Sequence, residues 1–163
     1  MPVPAVISGA ADSYRFNTDF LVNMTKDLTP EEWVKRPNST TNHIAWIVGH
    51  VIWTRKALLA RLGKEWSTPW LGMFARGVMV DDTAVYPSPI ALTDAWKEVT
   101  AALTSALESM SEEALAQPAF NPGPPSTDGK VSGNVTFLAW HETYHVGQIS
   151  MVRCWLGHKG LMG

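Results

Sequence analysis

The stretch "HETYHVGQIS", residues 141–150, contains two histidines four residues apart, His141 and His145. On an α-helix, side chains at this spacing lie on one face, with their Cβ atoms roughly 5–6 Å apart. Two imidazoles placed in this way can reach one metal ion, whereas burying both without partners would leave several polar nitrogens unsatisfied. The pattern therefore favours half of a metal site over a helix that merely contains two histidines.

A third histidine, His50, lies in the middle of the apolar segment "NHIAWIVGHVIWTR". Helical periodicity places it on an inward stripe that also contains His43, Ile47 and Thr54. Taken alone, a histidine on such a face is more often a core residue bonded to a backbone carbonyl than a metal ligand. A bundle that brings both helices together would, however, direct all three of these imidazoles into one core.

The same stretch also matches the zinc-protease signature H-E-x-x-H, in which the glutamate acts as general base. Such enzymes take a third ligand from further along the chain, but no aspartate or glutamate follows His145. His158 falls beyond the predicted end of the helix, and no strand pattern is present to hold an extended peptide. We therefore interpret Glu142 as a solvated residue or a neighbour of the ligands rather than as a proteolytic base.

The elements that would position these residues are helical, because apolar residues recur at helical intervals and no convincing strand-like alternation is present. The predicted long helices cover roughly 8–28, 41–62, 93–110 and 132–156. The sequence thus predicts an all-α fold, an up-and-down-type four-helix bundle forming one domain over residues 1–163. Functional sites in such bundles are built from side chains that face the middle.

Several local signals fix the ends and packing of these helices. Thr29, Pro30 and Glu32 match the start of a short additional helix, with a cap, a proline at the first position and an acid at the third. A residue within 40–42 is expected to cap the second long helix, and Thr93 the third. Gly49, inside the second long helix, costs about 1 kcal/mol against alanine and indicates close packing there.

Composition limits the classes of function. The chain has 163 residues, 45% of them hydrophobic, a net charge of -2 and one cysteine. These values argue against a nucleic-acid footprint, a membrane-surface patch and a disulfide framework, and no apolar run approaches the roughly 20 residues of a membrane span. We expect a cytoplasmic protein whose partners are small molecules.

The segment "NHIAWIVGHVIWTR", the helix start "PSPIALTDAW" and the later H-x-x-x-H-x-G-Q-I together resemble the DinB/YfiT-like superfamily of metal-dependent proteins, in order along nearly the whole chain. The resemblance implies a DinB-like four-helix bundle that binds one divalent ion through His50, His141 and His145. It also implies chemistry with a low-molecular-weight thiol, since characterised members use mycothiol, bacillithiol or glutathione. Members commonly pair, and the surplus of apolar residues here likewise suggests a homodimer.

Three imidazoles would leave at least one position of the ion open, as in catalytic zinc sites. Zinc or nickel is the expected metal, with iron or manganese as alternatives, because imidazole suits several of them. Histidine ligands usually donate their second nitrogen to an oxygen. The expected neighbours and pocket residues are Glu142, Gln148 and, from the irregular connection over 64–91, Trp66, Trp70 and Arg76.

Three classes of function fit these observations. The first is a metal-dependent transferase or isomerase using a thiol cosubstrate, because Cys154 lies off the histidine face and cannot supply the sulfur. The second is a hydrolase using hydroxide generated at the metal. The third is a non-catalytic metal-binding protein that serves in stress response or interaction, with the ion stabilising the fold.

Overall fold

The computed structural model describes residues 2–160 and has a secondary structure dominated by four long helices. They are α1 (Ser8–Thr25), α3 (Ile44–Arg61), α4 (Pro89–Glu108) and α6 (Val131–Trp155), with the short helices α2 (Pro30–Trp33) and α5 (Glu112–Leu115) between them. Single 3-10 turns cover Ala5–Ile7 and Leu71–Phe74. The four-helix bundle predicted from the sequence is confirmed.

The helix ends show which local signals were interpreted correctly. The capping box at α2 is present, since the Thr29 hydroxyl accepts from the Glu32 N–H and the Glu32 carboxylate accepts from the Thr29 N–H. The prediction for α4 was wrong by one turn, because Ser88 caps it and Pro89 occupies the first position. The prediction for α3 was also wrong, because the imidazole of His43 accepts from the Trp46 N–H and caps that helix.

The four long helices pack in the order α1, α6, α3, α4 around the core, each against two neighbours. Helices α1 and α6 run parallel, as successive contacts from Tyr14 to Val135 and from Met24 to Arg153 show. The carboxyl ends of α3 and α4 line one cavity with the first residue of α6. The directions are therefore up, down, down, up, which differs from the strict alternation of an up-and-down bundle. The reason is that the long connection between α3 and α4 returns the chain to the end of the bundle where α3 begins.

That connection, residues 62–88, is irregular but firmly packed. Phe74, at the end of its 3-10 turn, is fully buried, and Trp66 and Trp70 are partly buried against the core. A Cβ added to Gly49 would overlap the Phe74 ring. The close packing predicted at Gly49 is thus present, and it lets the connection lie directly on α3.

The tryptophans differ in how deeply they are buried. Trp33, Trp46 and Trp96 are buried, whereas Trp140 and Trp155 on α6 are exposed by 65% and 51%. No helix within residues 2–160 combines the length and the apolar character that crossing a membrane requires.

Candidate metal site

His50 lies on α3, and its imidazole is oriented by a hydrogen bond at Nδ1 and by two neighbouring tryptophan rings. Its Nδ1 is 2.9 Å from the Phe74 carbonyl oxygen, so this nitrogen carries the proton and donates it. The Nε2 lone pair is thereby left free for a ligand. The imidazole stacks on Trp46, with ring centroids 4.9 Å apart and planes 9° apart, and lies near-parallel to Trp53 at 5.9 Å.

His141 and His145 lie one turn apart on α6, and their Nε2 atoms face each other at 3.2 Å. The Nδ1 of His145 is 2.7 Å from the Gln148 Oε1 and donates to it. The Gln148 amide nitrogen in turn donates to the Tyr144 hydroxyl at 3.0 Å, which fixes the orientation of the amide. Nδ1 of His141 is buried and has no hydrogen-bond partner.

The three histidines, here called the histidine trio, form one cluster. The ring centroid of His50 lies 5.5 Å from that of His141 and 4.8 Å from that of His145. One nitrogen from each ring lies within 4.8 Å of the nitrogens from the other two rings. Two nitrogens bound tetrahedrally to zinc at about 2.0–2.1 Å are about 3.3 Å apart. The separation of 3.2 Å between the α6 nitrogens therefore fits a divalent ion between them.

The electrostatics of the histidine trio favour the neutral imidazole, which is the form that binds metals. Burial lowers the pKa of His50, although the Phe74 carbonyl opposes this. Burial and then the two neighbouring histidines lower the pKa of His145 to about 4. The pKa of His141 is lowered by burial, by His50 and by the positive charge of Arg76.

The sequence suggested that Glu142 is a solvated residue or a neighbour of the ligands rather than a proteolytic base. Its side chain is only 1% exposed, so the expectation of a solvated residue was wrong. Its Oε2 and Oε1 accept hydrogen bonds from Nε and Nη2 of Arg55 at 2.7 and 2.8 Å. Both oxygens are thus engaged by a guanidinium, and the carboxylate is held in a buried ion pair, which does not suit it to act as a general base.

The other residues predicted to line a pocket, Arg76, Trp70 and Trp66, make different contacts. Arg76 is exposed and close enough for its charge to act on His141. Trp70 contacts Phe74, the residue whose carbonyl orients His50, edge to face with ring centroids 5.8 Å apart. The Trp66 indole donates to Glu98 on α4 at 3.4 Å, and within residues 2–160 no ring contact between Trp66 and the histidine trio is found.

The other two histidines serve elsewhere. His43 caps α3, and burial lowers its pKa to about 4. His158 follows α6, and its Nε2 lies 2.9 Å from a Glu32 carboxylate oxygen. Neither belongs to the cluster.

Sequence reasoning missed two groups that shape the site. The carbonyl of Phe74 was not among the expected acceptors, although Gly49 marked the place where something packs closely against α3. The partner of Glu142, Arg55, was also missed. No local pattern could have identified it, because the two residues are 87 positions apart.

The fold and the cluster can now be compared with known proteins. A family model for the DinB superfamily matches residues 14–149. A crystal structure of a conserved protein from Enterococcus faecalis superimposes with a TM-score of 0.71 over 90% of this chain and 94% of the other, at 15% sequence identity. At that identity the likeness shows the fold alone. Among curated proteins none matches the chain. Because the family match spans most of the helices, including all three histidines of the cluster, the chain belongs to the DinB superfamily.

Proposed function

We propose that the protein is a metal-dependent enzyme in which the histidine trio holds one divalent ion and a small thiol is the cosubstrate. The observation that carries this proposal is the convergence of one nitrogen from each of three imidazoles within 4.8 Å of one another. Within residues 2–160, no carboxylate or thiol joins the group. Three protein ligands are the number found in catalytic zinc sites, whereas structural sites have four.

The hydrogen bonds around the trio support ligation. The Phe74 carbonyl and Gln148 hold the outer nitrogens of His50 and His145, which fixes their tautomers and directs both Nε2 lone pairs inward. When bound, a divalent ion would supply positive charge that stabilises a thiolate at neutral pH. Zinc or nickel fits this nitrogen donor set, and iron or manganese are the alternatives.

The surroundings favour a thiol brought in by a cosubstrate. Cys154 is exposed on the last turn of α6, well past His145. Arg76 is available for an anionic group on an incoming molecule, since it is exposed and its charge acts on His141. The Tyr144 hydroxyl accepts from Gln148 and retains its own proton for donation to a substrate.

This arrangement supports a transferase or isomerase more than a hydrolase. A hydrolase of the H-E-x-x-H type takes a proton from water with its glutamate. Here both oxygens of Glu142 are bonded to Arg55. The proposed reaction therefore relies on the nucleophilicity of the thiolate rather than on a protein carboxylate.

The test is to load the purified protein with zinc or nickel and to follow consumption of mycothiol, bacillithiol or glutathione in the presence of electrophiles. The metal content and the thiol turnover should both be lost in His50→Ala, His141→Ala and His145→Ala. His158→Gln should retain both, because that residue lies with Glu32. Full metal content in the His50→Ala protein would refute the three-histidine site, and metal binding without turnover would favour the non-catalytic alternative.

The homodimer remains a prediction. Its support is an exposed apolar stripe on α6 formed by Trp140, Tyr144, Met151 and Trp155. A monomer mass at micromolar concentration by light scattering would contradict it.

A further inference from the structure

A second polar group lies next to the histidine trio between α3 and α6. It is the ion pair of Arg55 and Glu142, whose side chains are each 1% exposed. The contact is a two-pronged fork, since Nε donates to Oε2 at 2.7 Å and Nη2 donates to Oε1 at 2.8 Å. A fork of this kind fixes the angle between two side chains as well as their distance.

The guanidinium also reaches the other two long helices. Its Nη1 donates to the Thr100 hydroxyl on α4 at 2.6 Å. Its Nη2 donates to the Thr18 hydroxyl and to the Tyr14 carbonyl on α1 at 3.0 and 3.2 Å. Arg55 therefore connects α3 to every other long helix of the bundle.

Stability alone is a weak reason for this arrangement. Removing two charges from water is costly, and a well-packed apolar pair of similar volume often stabilises a protein as well or better. The best-attested role of a buried polar contact is to fix register between packed helices. The question is then which register is fixed.

The positions of the two residues answer this question. Glu142 directly follows His141 and lies three residues before His145, whereas Arg55 lies five residues after His50. A helix behaves as a rigid rod over so short a length, with about 1.5 Å of rise and about 100° of rotation per residue. A slide or rotation of α6 that opened the fork would therefore also displace the α6 nitrogens from His50.

We propose that Arg55 and Glu142 are positioning residues for the histidine trio, which hold α3 and α6 in the one register where the three Nε2 atoms meet. This inference rests on the proposed function, because it assumes that the trio binds a divalent ion. It gives Glu142 a role that differs from the base of a zinc protease. The residue acts through Arg55 and touches neither ion nor substrate.

The experiment measures zinc affinity, by competition with a chelator, and the visible spectrum of the cobalt(II) form. The variants are Glu142→Gln, Arg55→Lys and the double variant Arg55→Met with Glu142→Leu. The double variant removes both charges together, so no buried charge is left alone. The hydroxyls of Thr18 and Thr100 stay satisfied in it, because each also donates to a carbonyl on its own helix.

A matched control is available on the same helix. Arg153 forms a second forked ion pair, with Asp27, near the end of α6, and its other hydrogen bonds go to the carbonyls of Met24 and Lys159. Arg153→Met therefore removes a guanidinium from α6 without changing its register against His50. Its zinc affinity and cobalt spectrum should equal those of the parent.

The expected result is a zinc affinity that falls about 10–100-fold in the three variants, with a changed cobalt spectrum, even where unfolding shows that the double variant is as stable as the parent. Parental affinity and spectrum in a stably folded double variant would overturn the proposal. Should the double variant fail to fold, Arg55→Lys decides, because it keeps the charge but loses the fork. A parent that binds neither zinc nor cobalt would overturn the proposed function itself, and this inference with it, before any variant is made.

Discussion

Two groups of buried polar side chains lie side by side between α3 and α6, and they differ in how completely their hydrogen bonds are made. In the ion pair, both oxygens of Glu142 and all three nitrogens of Arg55 have partners. In the histidine trio, two nitrogens face each other at 3.2 Å and one more is buried without a partner.

This difference separates a group that holds the fold from one that is set up to bind. A fully satisfied network gains nothing from a ligand, since each donor already has an acceptor. Converging lone pairs repel one another until a cation or a proton lies between them. Residues adjacent in sequence, His141 and Glu142, therefore serve different purposes because they project from different sides of one helix.

The largest expected effect comes from breaking the satisfied group on one side only. Arg55→Met leaves the carboxylate of Glu142 buried without its partner, and such losses cost about 3–5 kcal/mol of unfolding free energy. The measurement is urea unfolding of the metal-free protein. His145→Ala, measured in the same way, should cost clearly less, because no buried charge is left uncompensated. Equal losses in the two variants would remove the distinction between the groups.

The next effect comes from supplying the ligand that the unsatisfied group lacks. Zinc at about 100 times its Kd should add about 2.7 kcal/mol to the free energy of unfolding. A rise in Tm with zinc that is reversed by a chelator would show this. The rise should vanish in His145→Ala and persist in His158→Gln. Stabilisation that survives in the His145→Ala protein would place the ion elsewhere.

The same contrast explains what could be predicted from the sequence. Helical periodicity depends on local spacing, and so it located the four long helices and put His50, His141 and His145 on faces that meet in the structure. The ion pair depends on a contact between residues 87 positions apart. Arg55, within "WTRKALLARLG", has the appearance of a surface charge, because nothing near it in sequence shows the acid that it meets.

For a related reason, only part of the environment that orients His50 could be predicted from the sequence. Gly49 signalled that a group packs closely on α3, but the sequence could not show which group. That group is Phe74, in a connection without periodicity, whose conformation depends on tertiary contacts. A backbone carbonyl is present at every residue, so its choice as the acceptor for an imidazole leaves no trace in residue type.

Gly49→Ala should produce the third effect by disturbing the group that orients His50. The added methyl would overlap the Phe74 ring, and overpacking of this kind costs about 1–3 kcal/mol. Zinc affinity should also fall, because displacement of Phe74 moves the carbonyl that holds the His50 Nδ1. Gly9→Ala on α1 is the control, since its new methyl would meet no atom within 4 Å. Unchanged affinity in a destabilised Gly49→Ala protein would show that the Phe74 carbonyl is dispensable.

The smallest expected effect is the response of zinc affinity to mild acid. If the three imidazoles had the ordinary pKa, each would lower the zinc affinity of the site about fourfold between pH 7.5 and 6, because protons compete with the ion. Burial lowers the pKa of all three members of the histidine trio, to about 4 for His145. A lowered pKa keeps the imidazole neutral to lower pH, so the affinity should fall by clearly less than three fourfold losses combined over this range and decline steeply only at lower pH. Chelator competition at both pH values, corrected for the protonation of the chelator, measures the change. A loss of tens of fold by pH 6 would mean that the three imidazoles are as open to water as surface histidines.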